Sequence, residues 1–114
     1  YFRLLANPSV RRAHPDGKSK RVGLYKLEEQ EDWISRKGDQ GGFSVEVLEI
    51  RNLGMIESIK RKDQRIYQIQ HLGVQFDGVL KVSHEETFSN TLIQGLGSAK
   101  AFGFGLLSLA RPTV

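Results

Sequence analysis

A glycine-rich stretch around one lysine, residues 95–107, is the part of the sequence best suited to bind an anion. Four of the chain's twelve glycines lie here, Gly95, Gly97, Gly103 and Gly105, and the lysine is Lys100. Glycine has no Cβ, so such a stretch can turn sharply and bring its backbone against a ligand. Successive N–H groups in a turn form a concave anion site, to which a lysine adds positive charge. The pattern predicts a phosphate-contacting loop; a tight helix-to-strand connection with nothing bound is the alternative.

Two further blocks of the sequence concentrate positive charge. Residues 1–26 hold seven Lys or Arg against one acid, and residues 60–65 hold four against one, whereas residues 27–59 hold three against eight acids. The first block places Arg11, Arg12, Lys20 and Arg21 in a predicted loop, and the second places Lys60, Arg61, Lys62 and Arg65 at the tip of a predicted β-hairpin. Neighbouring cations repel each other, so we expect a polyanionic partner such as nucleic acid. Two solvated loops are the alternative.

Length and composition indicate a single domain. The chain has 114 residues, 39% of them hydrophobic and 26% charged, which is ordinary for a globular protein with one core. No apolar run approaches the roughly 18 residues of a membrane helix, and no signal peptide is visible, so we expect no membrane partner. The chain has no cysteine, which excludes disulfides and cysteine-ligated zinc and fits a cytoplasmic setting.

The hydrophobic pattern predicts six elements in the order β, α, β, β, α, β. The predicted strands span residues 1–6, 43–59, 66–82 and 102–110, with a bulge or bend at 52–54. The first predicted helix spans 27–37, and the second starts at a Ser83 cap and ends at Gly95 to Gly97. Two helices on one face of an antiparallel sheet in this order describe the ferredoxin-like α+β fold, from which the basic hairpin protrudes. We expect the hairpin and the glycine-rich stretch to form one cradle.

Several residues have predicted structural roles within these elements. Trp33 is interpreted as a core anchor on the same side as Leu27 and Ile34, and Gly38 as the end of the first helix. Ser83 and Glu86 match a capping box at the start of the second helix. That helix is expected to bury one face, formed by Phe88, Leu92, Ile93 and Leu96. The last strand is almost wholly apolar, which predicts a central strand buried on both faces.

The stretch from Gly95 to Ala110 resembles the C-terminal glycine-rich signature of the CRISPR RNA-processing endoribonucleases of the CasE (Cse3) family, within the RAMP group. Phe2–Pro8 is similar to the strand that opens the second domain of that family. Further similar segments follow in matching order: Lys20–Val22, the Trp33 helix, Gly42–Phe43 and Phe76–Leu80. The resemblance covers nearly the whole chain.

This resemblance implies a function and a set of partners. Members of the family carry two tandem ferredoxin-like domains, so residues 1–114 would form the second domain without the first, and a chain that starts at Tyr1 suggests a fragment or a processed product. The family cuts the CRISPR repeat transcript at the base of its stem-loop without a metal or other cofactor, leaving a 2′,3′-cyclic phosphate. The implied partners are the repeat RNA, other Cascade subunits and the first domain. The implied RNA contacts are the basic hairpin and the glycine-rich loop.

The resemblance assigns no catalytic residue to this chain. Acid–base cleavage of RNA needs one group to take the 2′-OH proton and another to protonate the leaving 5′-oxygen, and in this family a histidine and a tyrosine of the first domain do so. His71 and His84 are interpreted as structural, whereas His14 in the basic loop is the one histidine placed to approach RNA. We therefore predict weak RNA binding without cleavage. A non-catalytic ferredoxin-like module, whose apolar sheet docks a partner protein, is the competing hypothesis.

Overall fold

A four-stranded antiparallel sheet, two helices and a small separate hairpin make up the structure, a computed structural model that describes residues 1–13, 15, 17, 19–100 and 103–111. The elements are β1 (Phe2–Ala6), β2 (Ser9–Ala13), β3 (Ser19–Gly23), α1 (Leu27–Gly41), β4 (Phe43–Lys62), β5 (Arg65–Val82), α2 (Glu85–Gln94) and β6 (Leu107–Leu109). Within the described ranges, no helix is long and apolar enough to cross a membrane.

The sheet has the strand order β4-β5-β1-β6, and β2 pairs with β3 in the separate hairpin. If the β2–β3 hairpin is set aside, the remaining elements run β, α, β, β, α, β, and the first strand lies between the third and the fourth. This order is that of the ferredoxin-like fold, so the α+β prediction is confirmed. All pairings in the sheet are antiparallel.

The core lies between one face of the sheet and both helices. Leu4 and Phe76 are fully buried on this face, and the ring of Phe76 stacks on Trp33 of α1 with centroids 5.6 Å apart. Phe88 of α2 meets Phe43 edge to face at 5.9 Å. Trp33 is 2% exposed, which confirms its predicted role as a core anchor.

The opposite face of the sheet is charged. Side chains alternate along a strand, so Arg3 and Asp77 point away from the helices. The two residues pair across β1 and β5, and Arg3 Nε donates to Asp77 Oδ1 at 2.7 Å. Although partial burial favours its neutral form, hydrogen bonds from Arg3 and Gln75, with the charges of Arg3 and Arg51, lower the pKa of Asp77.

Strands β4 and β5 form a hairpin that is far longer than the sheet. The β1 pairing ends at Ala6, opposite Val74, and residues 54–73 continue beyond it, bonded to each other; we call this segment the arm. The register shifts between Asn52 and Gly54, which confirms the predicted interruption. Asp63 and Gln64 form the turn with φ of 52° and 63°. Both angles are positive, as in the tight turn that suits a twisted hairpin.

Three sequence-based expectations about local structure were wrong near the first helix. Residues 9–21 are not a loop, because Ser9–Ala13 and Ser19–Gly23 pair as strands. Helix α1 continues one turn past Gly38 and ends before Gly42, whose left-handed φ of 82° stops the helix and whose N–H donates to the Gly38 carbonyl. Leu27 is 54% exposed, so it does not share the buried side of Trp33.

Three more expectations were wrong near the C-terminal end. Strand β6 is an edge strand that pairs with β1. It is short because the backbone of Gly103 and Gly105 has φ of 87° and cannot extend a ladder. Ile93 of α2 is 83% exposed, and Thr91 is buried in its place. The residue before α2 is His84 rather than Ser83, and its side chain makes no capping hydrogen bond. The backbone N–H groups of Ser83 and His84, one of which a capping box would use, both donate to the Gly42 carbonyl instead.

Candidate functional site

A polar cleft of about 350 Å³ lies where the glycine-rich stretch meets the ends of both helices. We call it the cationic cleft. Its walls come from five segments of the chain: Ser9 of β2, Arg21 of β3, the last turns of α1 and α2, and the stretch from Gly95 to Lys100. The edge of the Trp33 indole also lines it.

Three cations converge on this cleft: Arg21, Lys37 and Lys100. None of the described residues that line the cleft is acidic. Lys37 Nζ lies 5.7 Å from the centre of the Trp33 ring, a cation–π distance. Burial lowers the pKa of Lys37, and the charges of Arg36, Arg21 and Lys100 lower it further. The pKa direction means that the cleft disfavours the positive charge on Lys37 when no anion is present.

The C-terminal ends of both helices also act on the cations of this cleft. A helix C-terminus carries partial negative charge and favours a nearby cation, which by itself would raise the pKa of a lysine. For Lys37, burial and then repulsion from Arg36, Arg21 and Lys100 act in the other direction and lower the pKa. A bound anion would relieve that repulsion, so the cleft is suited to a phosphate group.

The glycine-rich stretch is packed closely against the core. Gly97 has φ of 80°, and a Cβ there would lie 2.8 Å from Cζ2 of Trp33. Gly105 has φ of 87°, and its Cβ would lie 2.3 Å from the Leu96 carbonyl oxygen. Leu96 N–H donates to the Gly105 carbonyl at 2.8 Å, which closes the stretch into a loop. Gly97 and Gly105 thus form a tight connection between helix and strand, which the sequence left open as the alternative to a phosphate-contacting loop. The cleft forms on the outer side of this connection.

A chain of hydrogen bonds ties the loop to the rest of the protein. Arg21 Nη1 donates to Ser9 Oγ at 3.0 Å, and Ser9 Oγ lies 2.9 Å from Ser98 Oγ. Ser98 Oγ donates to Asn7 Oδ1 at 2.7 Å, and Asn7 Nδ2 donates to the Leu72 carbonyl at 2.9 Å. Each hydroxyl can accept one bond and donate one, so the order Arg21, Ser9, Ser98, Asn7 is consistent throughout.

A sequence model of the CRISPR associated protein family matches residues 1–111. The chain belongs to this family. It is 35% identical to the CRISPR-associated endoribonuclease Cse3 of Thermus thermophilus, covering 96% of the chain and 54% of that protein. It is also 35% identical to the CRISPR system Cascade subunit CasE of Escherichia coli, covering 96% of the chain and 57% of that protein. The chain spans about half the length of these curated relatives, and the CasE (Cse3) resemblance is confirmed.

The fold of this CRISPR-associated protein also matches that of an RNA-bound relative. The structure of CRISPR endoribonuclease Cse3 bound to a 19-nucleotide RNA superimposes with a TM-score of 0.80 at 34% identity. The match covers 96% of the chain and 55% of that structure. At this identity and TM-score, the two chains share the same fold over the matched part.

The structure brings together some of the site residues predicted from the sequence. Arg21, Gly95, Gly97 and Lys100 line the cationic cleft. Gly105 is buried and donates to the Leu5 carbonyl, and Gly103 is exposed with open space at its Cβ position; neither lines the cleft. His14, Ala101 and Phe102 lie outside the described residues.

The β2–β3 hairpin places like charges opposite each other. Arg11 pairs with Arg21, and Arg12 pairs with Lys20. Opposed like charges destabilise a strand pair, and Arg12 offsets part of this by donating to Glu29 at 3.3 Å. Since Arg21 reaches the cleft, this hairpin extends the positive surface away from it.

The second basic block lies at the end of the arm. Arg61, Lys62 and Arg65 are exposed there, and the backbone of Lys60 pairs with that of Tyr67. The nine residues from Gly54 to Lys62 span about 26 Å at the usual rise of a strand. Glu57 and neutral residues occupy the middle of the arm, so positive charge gathers at its tip and at the cleft but is not continuous between them.

The arm and the cleft nevertheless share one end of the sheet. Asn7 follows β1 and bonds to Leu72 at the base of the arm, while Ser98 of the cleft bonds to the same Asn7 side chain. The sequence analysis missed Lys37 as a member of the site. The available signal was its spacing: Lys37 lies four residues after Trp33, and residues four apart share a helix face.

Proposed function

We propose that this chain binds the stem-loop RNA of a CRISPR repeat and forms the RNA-holding part of a metal-independent endoribonuclease that produces guide RNA for the Cascade complex. The catalytic histidine and tyrosine come from a further domain, as the family resemblance implies. Its other partners are Cascade subunits, and it acts in the cytoplasm. Within the described residues, no group of three or more His, Cys, Asp or Glu side chains could hold a metal ion.

The observation that carries the proposal is the convergence of Arg21, Lys37 and Lys100 on a cleft with no described acidic lining. Burial, and then repulsion from neighbouring cations, lowers the pKa of Lys37, so a phosphate gains both the attraction of the cations and the relief of their repulsion. The RNA-bound Cse3 structure, which has the same fold, supports RNA as the source of that phosphate.

The arm gives the proposal a second point of contact. A-form RNA has a deep, narrow major groove that ordinary side-chain readout cannot enter. A two-stranded hairpin about 26 Å long, with exposed cations at its tip, is thin enough to approach a stem near its end. Binding at the tip therefore depends on shape and charge, while the cleft holds a phosphate close to the base of the arm.

The competing hypothesis of a protein-docking sheet receives less support. It required an apolar open face, whereas that face carries the Arg3–Asp77 ion pair together with Glu49 and Arg51. Charged residues are depleted at the centres of protein interfaces, so this face is poorly suited to such a role.

A direct test measures binding of a fluorescent repeat stem-loop RNA by anisotropy across a salt series. We expect binding that weakens steeply as salt rises, because each neutralised phosphate releases counterions. The same RNA, incubated without metal and separated on a gel, should remain intact. Absence of salt-sensitive binding would overturn the RNA-binding proposal, and site-specific cleavage by the chain alone would overturn the assignment of catalysis to a further domain.

A further inference from the structure

A second pocket of about 290 Å³ adjoins the cationic cleft on the side of the arm. Ser9 and Arg21 line both cavities, so the two are neighbours separated by these side chains. The second pocket differs in chemistry from the first. Besides Ser9 and Arg21, it is lined by Asn7, which follows β1, by Gly23 and Tyr25, and by Met55, Gln70, His71 and Leu72 of the arm. We call it the Tyr25 pocket.

Tyr25 is held in place although it is exposed. Tyr25 is 61% exposed, which is high for an aromatic residue. A Cβ added at Gly23 would lie 3.3 Å from Cε2 of the Tyr25 ring, so the ring lies directly over that glycine. Its hydroxyl group lies 3.9 Å from the sulfur of Met55. The ring is therefore supported from the β3 side and from the arm.

We propose that the Tyr25 pocket receives one unstacked nucleobase of the RNA whose phosphate occupies the cationic cleft. This inference rests on the proposed function. Proteins bind single-stranded RNA by stacking bases on aromatic rings and on arginine planes and by hydrogen bonds to the base edges. Tyr25 supplies the ring, Arg21 reaches both cavities, and the Gln70 amide, which donates to Glu57 at 3.2 Å, supplies polar groups at the edge.

A paired base cannot enter this pocket, because both of its faces and its pairing edge are occupied within the stem. The ligand is therefore an unpaired nucleotide next to the stem. Its phosphate lies near Arg21, and its base lies over Tyr25. The pocket would thus distinguish a stem-loop with a single-stranded extension from one that ends in a base pair.

The experiment compares two RNAs with the same stem-loop, one blunt and one with an unpaired extension that carries 2-aminopurine at successive positions. We expect Tyr25→Leu to weaken binding of the extended RNA by about 5- to 150-fold, the strength of one base–aromatic stack, and to leave the blunt RNA unchanged. Tyr25→Phe keeps the ring and should bind both RNAs as the wild type does. One 2-aminopurine position should be quenched by the wild type and not by Tyr25→Leu.

Two further variants keep the result interpretable. Tyr1→Leu removes a comparably exposed tyrosine at the opposite end of β1 and should change neither affinity. Gly23→Ala adds a Cβ 3.3 Å from the Tyr25 ring, which shifts the ring slightly without removing it, and should weaken the extended RNA selectively but less than Tyr25→Leu does. An equal loss for both RNAs, or no loss with Tyr25→Leu, overturns the inference and leaves the RNA-binding proposal standing. Failure of both RNAs to bind the wild type overturns both.

Discussion

Replacement of Lys37 by methionine tests whether the cationic cleft holds RNA phosphates. Methionine keeps an unbranched apolar stem against Trp33 and removes the charge. Three cations line the cleft, and we count each as neutralising one backbone phosphate in the cleft or directly beside it, which contributes about −0.7 per phosphate of a single strand to the slope of log K against log salt. The cleft then contributes about −2.1, which is an affinity loss of about 18-fold between about 50 and 200 mM salt. With two cations left, the expected loss is about sevenfold.

The same substitution should make the free protein more stable, since the cleft disfavours the charge on Lys37. The pKa of Lys37 is lowered in the folded state, chiefly by burial and then by neighbouring cations, so the folded state binds fewer protons than the unfolded chain just below the usual lysine pKa. Stability of the wild type therefore rises with pH between the folded pKa and about 10.4, and this rise should be reduced in Lys37→Met.

Anisotropy titrations at several salt concentrations measure the slope, and urea unfolding at several pH values measures the stability. Lys81→Met is the matched control, because Lys81 is exposed on β5 at the end of the sheet away from the cleft. Lys81→Met loses the same charge as Lys37→Met. Its slope of log K against log salt should differ from that of the wild type only by the small effect of a lower net charge. An unchanged slope in Lys37→Met, or a stability below that of the control, would refute the assignment of Lys37 to a phosphate site.

Three other predictions follow from the arm, the hydrogen-bond chain and the open sheet face. The combined variant Lys60→Ala, Arg61→Ala, Lys62→Ala should flatten the salt slope by up to about 2 to 3 units, since three contacts to a duplex stem contribute slightly more than three to a single strand. Anisotropy measures the slope, and an unaltered slope would exclude the tip from the interface. Ser98→Ala leaves the buried Asn7 amide without its 2.7 Å donor and should lower the free energy of unfolding by about 1–3 kcal/mol in urea, whereas Ser108→Ala on the exposed edge strand should change it little. Burial favours the neutral form of Asp77, but hydrogen bonds and nearby arginines outweigh it and lower the pKa of Asp77. The contribution of Asp77 to stability is therefore present above about pH 4 and is lost as pH falls through its pKa in the folded state. Asp77→Asn should remove that loss on the acid side, and identical acid unfolding profiles of the variant and the wild type would contradict this prediction.

The sheet and its long hairpin were predictable because their patterns are local. Alternation identified β1 and the paired strands β4 and β5, and the polar interruption at 52–54 marked the register shift. The edge position of β6 was not predictable in the same way. Its apolar residues suggest burial on both faces, but Leu109 is 48% exposed and Leu106, directly before the strand, is 67% exposed. Which strand lies beside it is decided by the tertiary arrangement rather than by its own composition.

The site was predicted in part for a similar reason. The sequence predicted Arg21, Gly95, Gly97 and Lys100 as site residues, because a basic block and a glycine-rich stretch are visible in consecutive residues. Lys37 is surrounded by residues of ordinary helix composition, and its role depends on the packing of α1 against the glycine-rich stretch. The hydroxyl of Ser98 matters because Ser9 and Asn7 come within reach, and contacts over about 90 residues of sequence leave no local pattern.

The close approach of Gly97 to the indole of Trp33 gives the chain an intrinsic optical probe. Trp33 is the single tryptophan of the chain, and its ring edge lies beneath Gly97 and beside Lys37. Emission excited at the red edge of the protein spectrum therefore comes from one known position. A titrant that enters the cleft alters the field around that indole, so occupancy can be followed in unlabelled protein, separately from events at the far end of the arm.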